Sequence, residues 1–402
     1  MTKETEQKFQ EIYFPTGCDL LDLVVGGGMG CGFPSGKVVN LVGDKSSGKT
    51  FLACELIAAA FQKYGDELKW NYDDAESGFT FDTKRMYGIE IMPQDPEKRV
   101  KSRTVEEMFC NYRLFLQSLG EDEVGIYVVD SLDGLTSEEN EKRGEARLKA
   151  FQEGKEFKQG SYQMGAAKFL SQEFFKGITE ETEKKKCLLV IISQVRENIE
   201  PFGFEKYVRS GGKALDFYAH TVLWLAYMKK ITRKDRTVGV VVKAKTTKSK
   251  TPRPFRECIF TLLFDYGLDN IGTSIDFLFD FRTETGMVKS NASAVWQGVD
   301  ETLANLTEFI EQQNKMDEYK AEQGTVSKKR ILAYLDEHDG ELGEARRKFF
   351  GMPMKRDELI AFVEKEKLQN VLRERVLLKW EEIECSILTN RQPKYSQGKN
   401  LE

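Results

Sequence analysis

Histidine is almost missing from this chain, with two in 402 residues, His220 and His338. So small a supply of imidazole leaves few options for a zinc site or a Ser-His-Asp triad. The seven cysteines form no Cys-x-x-Cys pair, and their odd number argues against a complete disulfide framework. Reduced, mostly structural thiols are the expectation. No apolar run approaches the roughly 20 residues of a membrane helix. The opening MTKETEQKFQ has neither the apolar core of a secretion signal nor an arginine-rich transit pattern, so a cytoplasmic location is expected. A net charge of -5 also lacks the overall positive balance of a nucleic-acid binder, and any such surface must come from local asymmetry. Metal chemistry then falls to carboxylate and phosphate oxygens around Mg²⁺.

The length and the 40% hydrophobic content suffice for one large α/β domain and a smaller one. Short runs rich in Val, Ile and Leu recur at Val38–Val42, Leu68–Asp73, Val124–Val129 and Cys187–Ile192, separated by helix-patterned segments. Continuous apolar runs with helices between them are the signature of buried parallel strands. Three more runs, near Thr221–Tyr227, Val238–Lys245 and Glu257–Phe264, have no long helical pattern between them and suggest an antiparallel extension of the same sheet. Residues 137–160 hold six acids and six bases with little apolar periodicity, as in a surface insertion or a charged helix. Beyond Trp296 helix formers dominate. Apolar spacing predicts helices over Lys328–Glu337 and Lys355–Glu366, the second capped by Asp357, and a third from Asn370 to about Glu384.

Between an apolar strand and an amphipathic helix lies Gly43-Asp44-Lys45-Ser46-Ser47-Gly48-Lys49-Thr50, the pattern G-x-x-x-x-G-K-[ST]. In that context backbone N–H groups curl round phosphates, the helix N-terminus adds its dipole, and glycine avoids a Cβ clash. Lys49 would neutralise the outer phosphates, and the Thr50 hydroxyl would coordinate Mg²⁺. Asp130 ends the run GIYVVD, where a carboxylate either faces Mg²⁺ through water or caps the next turn. Glu76 follows the strand LKWNYDD, either as a general base orienting water or as an ordinary loop acid. Met228–Arg256 carries eleven Lys or Arg against one acid, Asp235, and on charge alone could be a solvated hairpin.

Together these segments resemble the RecA recombinase family. FPTGCDLLD, GDKSSGKT, DDAES, VVDSLDGLT, SQVR, MGAAKFLSQ, SGGKALDFYA and KSKTPRPF carry the likeness in order, over about Phe14–Trp296. The resemblance implies a P-loop ATPase core with a mainly parallel twisted sheet flanked by helices, and a small helical C-terminal domain. The expected divisions are a short segment 1–13, the core 14–268, a connecting region 269–324 and the helical region 325–402. It implies ATP and Mg²⁺ as ligands, Glu76 as catalytic base and Gln194 as γ-phosphate sensor. It also implies Lys248 and Lys250 as cations reaching across a subunit interface to the neighbour's ATP.

Two DNA-holding loops are implied as well. The first carries Met164, Gly165, Lys168 and Ser171. The second, 195–210, carries Arg196, Phe202, Phe204 and Arg209 and is followed by Gly211 and Gly212; Tyr207 adds stacking surface. The activity so implied is an ATP-dependent recombinase that assembles on single-stranded DNA and pairs it with duplex. The alternatives are a ring-forming motor on the same fold and an ATP-controlled scaffold. The sequence departs from the family pattern in its short N-terminal segment, in Asp216 where the family has lysine, and in Lys168 where it has arginine.

Overall fold

A computed structural model describes residues 12–27, 32–156, 165–197, 207–209, 212–251, 253–289, 292–296 and 353–389. The chain divides into two compact units, Met1–Thr273 with Leu377–Glu402, and Ser274–Val376.

The first unit is built on a nine-stranded sheet. A small pair, β1 (Tyr13–Phe14) and β2 (Phe33–Pro34), stands outside it. The main sheet contains β3 (Val38–Gly43), β4 (Leu68–Asp73), β5 (Val124–Val129), β6 (Cys187–Glu197), β7 (Tyr207–Arg209), β8 (Thr221–Arg233), β9 (Arg236–Ser249), β10 (Glu257–Leu263) and β11 (Gly267–Leu268). Their spatial order is β11-β10-β9-β8-β3-β6-β5-β4, with β7 pairing β6. Strands β8, β3, β6, β5 and β4 run parallel to one another, and β9 to β11 continue antiparallel. The run at Thr221 therefore differs from expectation: it lies parallel to β3, register Val39↔Thr221, and only the two runs after it extend the sheet antiparallel. The reason is the short helix α8 (Gly212–Tyr218; the helices before it follow below), which supplies the crossover that a parallel strand needs.

The central runs Val38–Val42, Val124–Val129 and Cys187–Ile192 are almost wholly apolar because both faces are covered, as a parallel sheet requires. One face packs Val38, Val42, Tyr127, Val129, Leu189 and Ile191 against α4 (Val105–Ser118), through Met108, Tyr112 and Leu116, and α7 (Phe175–Lys184), through Phe175 and Ile178. The alternate residues Val39, Leu41, Ile126, Val128, Leu188 and Val190 are equally buried and point the other way. Helix α2 (Lys49–Tyr64) buries Leu52, Leu56 and Ile57, and α1 (Asp19–Val25) buries Leu20, Leu21 and Leu23. Helix α3 (Thr83–Tyr87) is capped by Asp82, whose carboxylate accepts from Arg85 N. The charged segment forms α5 (Glu138–Gln152), capped by Ser137 and with no buried residue. Helix α6 (Gly165–Phe169) leads through a π-type turn into α7.

The second unit holds most of α9 (Asn270–Leu278), the antiparallel pair β12 (Ala294–Val295) and β13 (Pro353–Met354), and α10 (Arg356–Lys365). Helix α11 (Gln369–Ser386) contributes residues to both units. Trp296 packs edge-on to Phe362 at 5.7 Å with Arg375 over its ring at 4.1 Å, and the buried Asp276 carboxylate accepts from Arg282 and Arg356. The predicted cap Asp357 sits in the first turn of α10, one residue inside the helix; the capping position is Lys355, and Glu358 Oε2 accepts the Lys355 N–H at 2.9 Å. The helix predicted over Lys328–Glu337 lies outside the described residues.

All six described cysteines are free thiols. No helix among the described residues is long and apolar enough to cross a membrane.

A half-buried acid on α2 gives the fold a pH dependence. Glu55 Oε2 accepts the Leu268 N–H at 3.0 Å, and a Cβ at Gly267 would stand 2.5 Å from the same oxygen. Burial pushes the carboxyl from 4.5 up to about 7. The folded state thus binds this proton more tightly than the unfolded chain does. Stability from this group falls as pH rises from 4.5 through about 7 and is flat above. At about 1.4 kcal/mol per unit the swing is at most about 3.5 kcal/mol. Glu55→Gln keeps the acceptor without the charge, so it is expected to be the more stable form at pH 8 and to lose its advantage by pH 5. Denaturant melts at both pH values check this; parallel curves for the two proteins would refute it.

Candidate nucleotide and nucleic-acid site

The carboxyl ends of β3, β4, β5 and β6 meet at one edge of the sheet, the edge where open parallel sheets bind ligands. From β3 the chain turns through residues 43–50 into α2. The turn is tight enough to demand its glycines. A Cβ at Gly43 would come within 2.5 Å of Leu225 O and Ser47 Oγ; Gly48, at φ +85°, would meet Leu262 Cδ1 at 2.2 Å. Ser47 is buried and its hydroxyl donates to Asp44 O at 2.8 Å, while Asp44, Lys45 and Ser46 face outward. Lys49 folds into the loop, donating to Gly43 O at 2.7 Å and Asp44 O at 2.8 Å. Desolvation lowers its pKa, against the raising influence of Asp130, Glu76, Asp44 and Asp133. An ammonium partly stripped of water and ringed by carbonyls gains much from an incoming polyanion.

Thr50 Oγ1 donates to Asp130 Oδ2 at 2.7 Å, and Tyr72 OH donates to the same oxygen at 2.6 Å. Burial raises the Asp130 pKa, and these two hydrogen bonds oppose the rise. A hydroxyl and a carboxylate within one hydrogen bond of each other are hard oxygen donors of the kind that suit Mg²⁺. Among the described residues no group of three or more His, Cys, Asp or Glu is placed to hold a metal by itself.

Glu76 lies beyond the end of β4, exposed, with its N–H donating to Asp130 O at 3.2 Å. Its Oε1 accepts from the Ser131 hydroxyl and, at 2.8 Å, from Gln194 Nε2. Gln194 is in register with Gly43 across β3 and β6, which sets the proposed sensor beside the loop. Beyond Gln194, β6 pairs antiparallel with β7, Val195↔Arg209 and Arg196↔Val208, so the two ends of the 195–210 segment lie side by side. Gly212 starts α8.

The other predicted positions spread as follows. Gly165 opens α6 so close to Ser137 that a Cβ would stand 2.7 Å from its Oγ. Lys168 is exposed one turn on, and Ser171 donates to its carbonyl at 2.9 Å. Lys248 donates to the carbonyls of Asp216 and Phe217 at the C-terminal turn of α8, and Lys250 is exposed just past β9. The backbones of Arg196 and Arg209 are placed by the β6–β7 pairing, whereas Met164, Phe202, Phe204 and Gly211 lie outside the described residues.

Two features escaped the sequence reading. Phe51 packs on Phe81 at 4.6 Å and faces Phe264 at 6.2 Å, and Phe264 is 45% exposed, so an aromatic surface adjoins the phosphate loop. The position of Phe51 directly after Thr50 was the available signal. The second is Asp133, whose Oδ2 accepts the Gln194 N–H at 2.7 Å.

The family model described as the RecA N-terminal domain matches residues 1–269. Proteins named Protein RecA from Ehrlichia ruminantium and Chloroherpeton thalassium are 29% identical over 266 residues and 30% identical over 306 residues. These alignments cover 65% and 75% of this chain and 66% and 76% of the relatives. The relative of the same name from Acinetobacter baylyi is 28% identical over 264 residues, 65% of this chain and 67% of that one.

Proposed function

Because this chain belongs to the RecA family, we propose that it is an ATP- and single-stranded-DNA-dependent recombinase, promoting homologous pairing and strand exchange with duplex DNA in recombination and repair. The observation that carries the reading is the Gln194–Glu76 hydrogen bond. It ties the proposed catalytic base to the first residue before the 195–210 segment, so that nucleotide and DNA act on one structural element.

In this reading residues 43–50 cradle the phosphates of ATP, with Lys49 as their cation. Thr50 and Asp130 hold Mg²⁺, which supplies charge neutralisation on the phosphates. Glu76 takes a proton from water as its oxygen bonds to the γ-phosphorus and the bond to the bridging oxygen breaks, giving ADP and phosphate. Phe51, Phe81 and Phe264 offer apolar surface to the base. Lys248 and Lys250 serve a neighbouring protomer's site, so the chain self-associates with ATP at the boundary; Lys248 leaves the α8 carbonyls to do so.

Gly165, Lys168, Ser171, Arg196, Arg209 and Gly212, together with Met164, Phe202, Phe204 and Gly211, contact single-stranded DNA. Duplex suits the hairpin tip. There Arg233, Lys234 and Arg236 are exposed beyond the stretch Gly239–Lys245 over which β10 pairs β9, and the exposed Lys229 and Lys230 lead up to them on β8. The core extends over 14–268, followed by a connecting region and a helical C-terminal region at 325–402.

The test is ATP turnover with and without single-stranded DNA, followed by strand exchange between homologous substrates. Turnover should rise at least several-fold on DNA and exchange should require ATP. Hydrolysis on DNA with no pairing of homologous strands would leave a DNA motor, and hydrolysis indifferent to DNA would leave a scaffold.

A further inference from the structure

We propose that Asp133 is a positioning residue that couples the nucleotide site to the segment following Gln194; the inference rests on the function proposed above. Strand β5 pairs with β6 only as far as Val129↔Ile191, whereas β3 continues to Gly43↔Gln194. Past the end of β5, the Gln194 N–H is taken by a side chain, Asp133 Oδ2 at 2.7 Å. Asp133 lies in the single turn Leu132–Gly134, closed by Gly134 N donating to Ser131 O at 3.0 Å. The same turn brings the Ser131 hydroxyl onto Glu76 Oε1. It packs close enough that a Cβ at Gly134 would stand 3.1 Å from Ala75 O and 3.2 Å from Glu76 Cγ.

The result is a closed ring. Glu76 Oε1 accepts from Ser131 and from the Gln194 amide, the Gln194 backbone donates to Asp133, and Asp133 returns to Ser131 through Leu132. In the chain without nucleotide, the ring commits the sensor's amide to the base and places both donors on one carboxylate oxygen, which an attacking water must share with them. A γ-phosphate that recruits the amide, or DNA that draws on the chain directly after Gln194, breaks the ring at Gln194. Asp133 holds that residue by its backbone and so sets how far the two events depend on each other. An aspartate accepting one N–H after a strand end is ordinarily a turn cap, with consequences for stability alone. The two roles predict different kinetics.

The experiment compares wild type, Asp133→Ala and Asp133→Asn for ATP hydrolysis with and without a single-stranded oligonucleotide, alongside hydrogen exchange at the Gln194 amide. In Asp133→Ala, DNA-free hydrolysis is expected to rise about threefold to tenfold and the stimulation by DNA to fall by a similar factor. KM for ATP should stay within about twofold, because the hydrogen bonds that shape the phosphate loop stay in place. Asp133→Asn retains an acceptor oxygen for the Gln194 N–H and should return the stimulation ratio to within about twofold of wild type. A wild-type ratio in Asp133→Ala, with faster exchange at Gln194 or a lower Tm, makes Asp133 a cap and overturns the proposal alone. A wild type that does not respond to DNA overturns the function on which it rests.

Discussion

Glu76→Gln is expected to bind ATP within about threefold of wild-type affinity and to turn it over at least about 100-fold more slowly. The glutamine keeps the shape of the side chain and an acceptor oxygen for Ser131 and Gln194, so the ring around it survives. What it cannot do is take a proton from water. Positioned general bases are worth about 10²- to 10⁴-fold, which sets the expected loss. Lys49→Ala provides the contrast. Its ammonium is the cation inside the loop, donating to Gly43 O and Asp44 O, and its removal should weaken nucleotide binding as well as turnover. Steady-state hydrolysis on single-stranded DNA together with direct binding of a fluorescent ATP analogue separates the two variants. A Glu76→Gln protein that keeps a tenth of wild-type turnover would remove Glu76 from the chemistry and leave Gln194 bonded to an ordinary loop acid. Asp133→Ala is expected to act in the opposite sense on DNA-free hydrolysis, and both effects converge on one oxygen, Glu76 Oε1.

The parts of this site that the sequence made legible are those fixed by local geometry. A glycine at φ +85° and another beneath a carbonyl and a serine are demanded by a loop of eight residues, so Gly43, Gly48, Lys49 and Thr50 were readable as a unit. Asp130 and Glu76 were readable as strand-end acids but not as partners of particular groups, because their neighbours come from other strands. The order of those strands is the missing information. Cys187–Glu197 inserts between Val38–Gly43 and Val124–Val129, and only that insertion sets Gln194 beside the loop and above Asp133, 61 residues away in sequence. Asp133 had no signature because its partner is a backbone amide, which every residue but proline carries. The aromatic trio Phe51, Phe81 and Phe264 was hidden for a similar reason: each sits in an unremarkable local pattern, and the cluster exists only once β10 and α2 are placed. The parallel placement of Thr221–Tyr227 was obscured by the shortness of α8, seven residues that carry too few apolar positions to show a helical period.

Glu384→Ala is expected to destabilise the first unit by about 3–5 kcal/mol, the usual consequence of removing one partner from a buried ion pair. Glu384, near the C-terminal end of α11, is 6% exposed and holds two guanidinium groups of the link between β9 and β10. Arg256 Nε donates to its Oε1 at 2.6 Å and Arg253 Nη1 to its Oε2 at 2.8 Å, with a second bond from Arg256 Nη2 to the same oxygen. The fork of Arg256 on one carboxylate is the geometry in which such pairs are strongest. Hydrogen bonding from Arg256 holds the Glu384 carboxyl below its usual range. The stabilisation is therefore present above the unfolded value of 4.5 and is lost as pH falls through the lower folded value. Removing the carboxylate leaves Arg256, whose side chain is 11% exposed, without its counter-charge, and that uncompensated charge rather than the lost contact accounts for most of the cost.

Two comparisons isolate this cause. Glu384→Gln keeps an acceptor and the packing but not the charge, and should fall between wild type and Glu384→Ala at pH 7. Combining Glu384→Ala with Arg256→Met should recover part of the loss, since the orphaned charge goes with it. Hydrogen exchange over residues 377–389 would localise the effect to α11, and exchange over 250–256 would report whether the link carrying Lys250 loosens with it. A loss in Glu384→Ala below about 1 kcal/mol, the worth of an exposed pair, would mean that water reaches the cluster and that the apolar residues around it supply the stability of this part of the first unit.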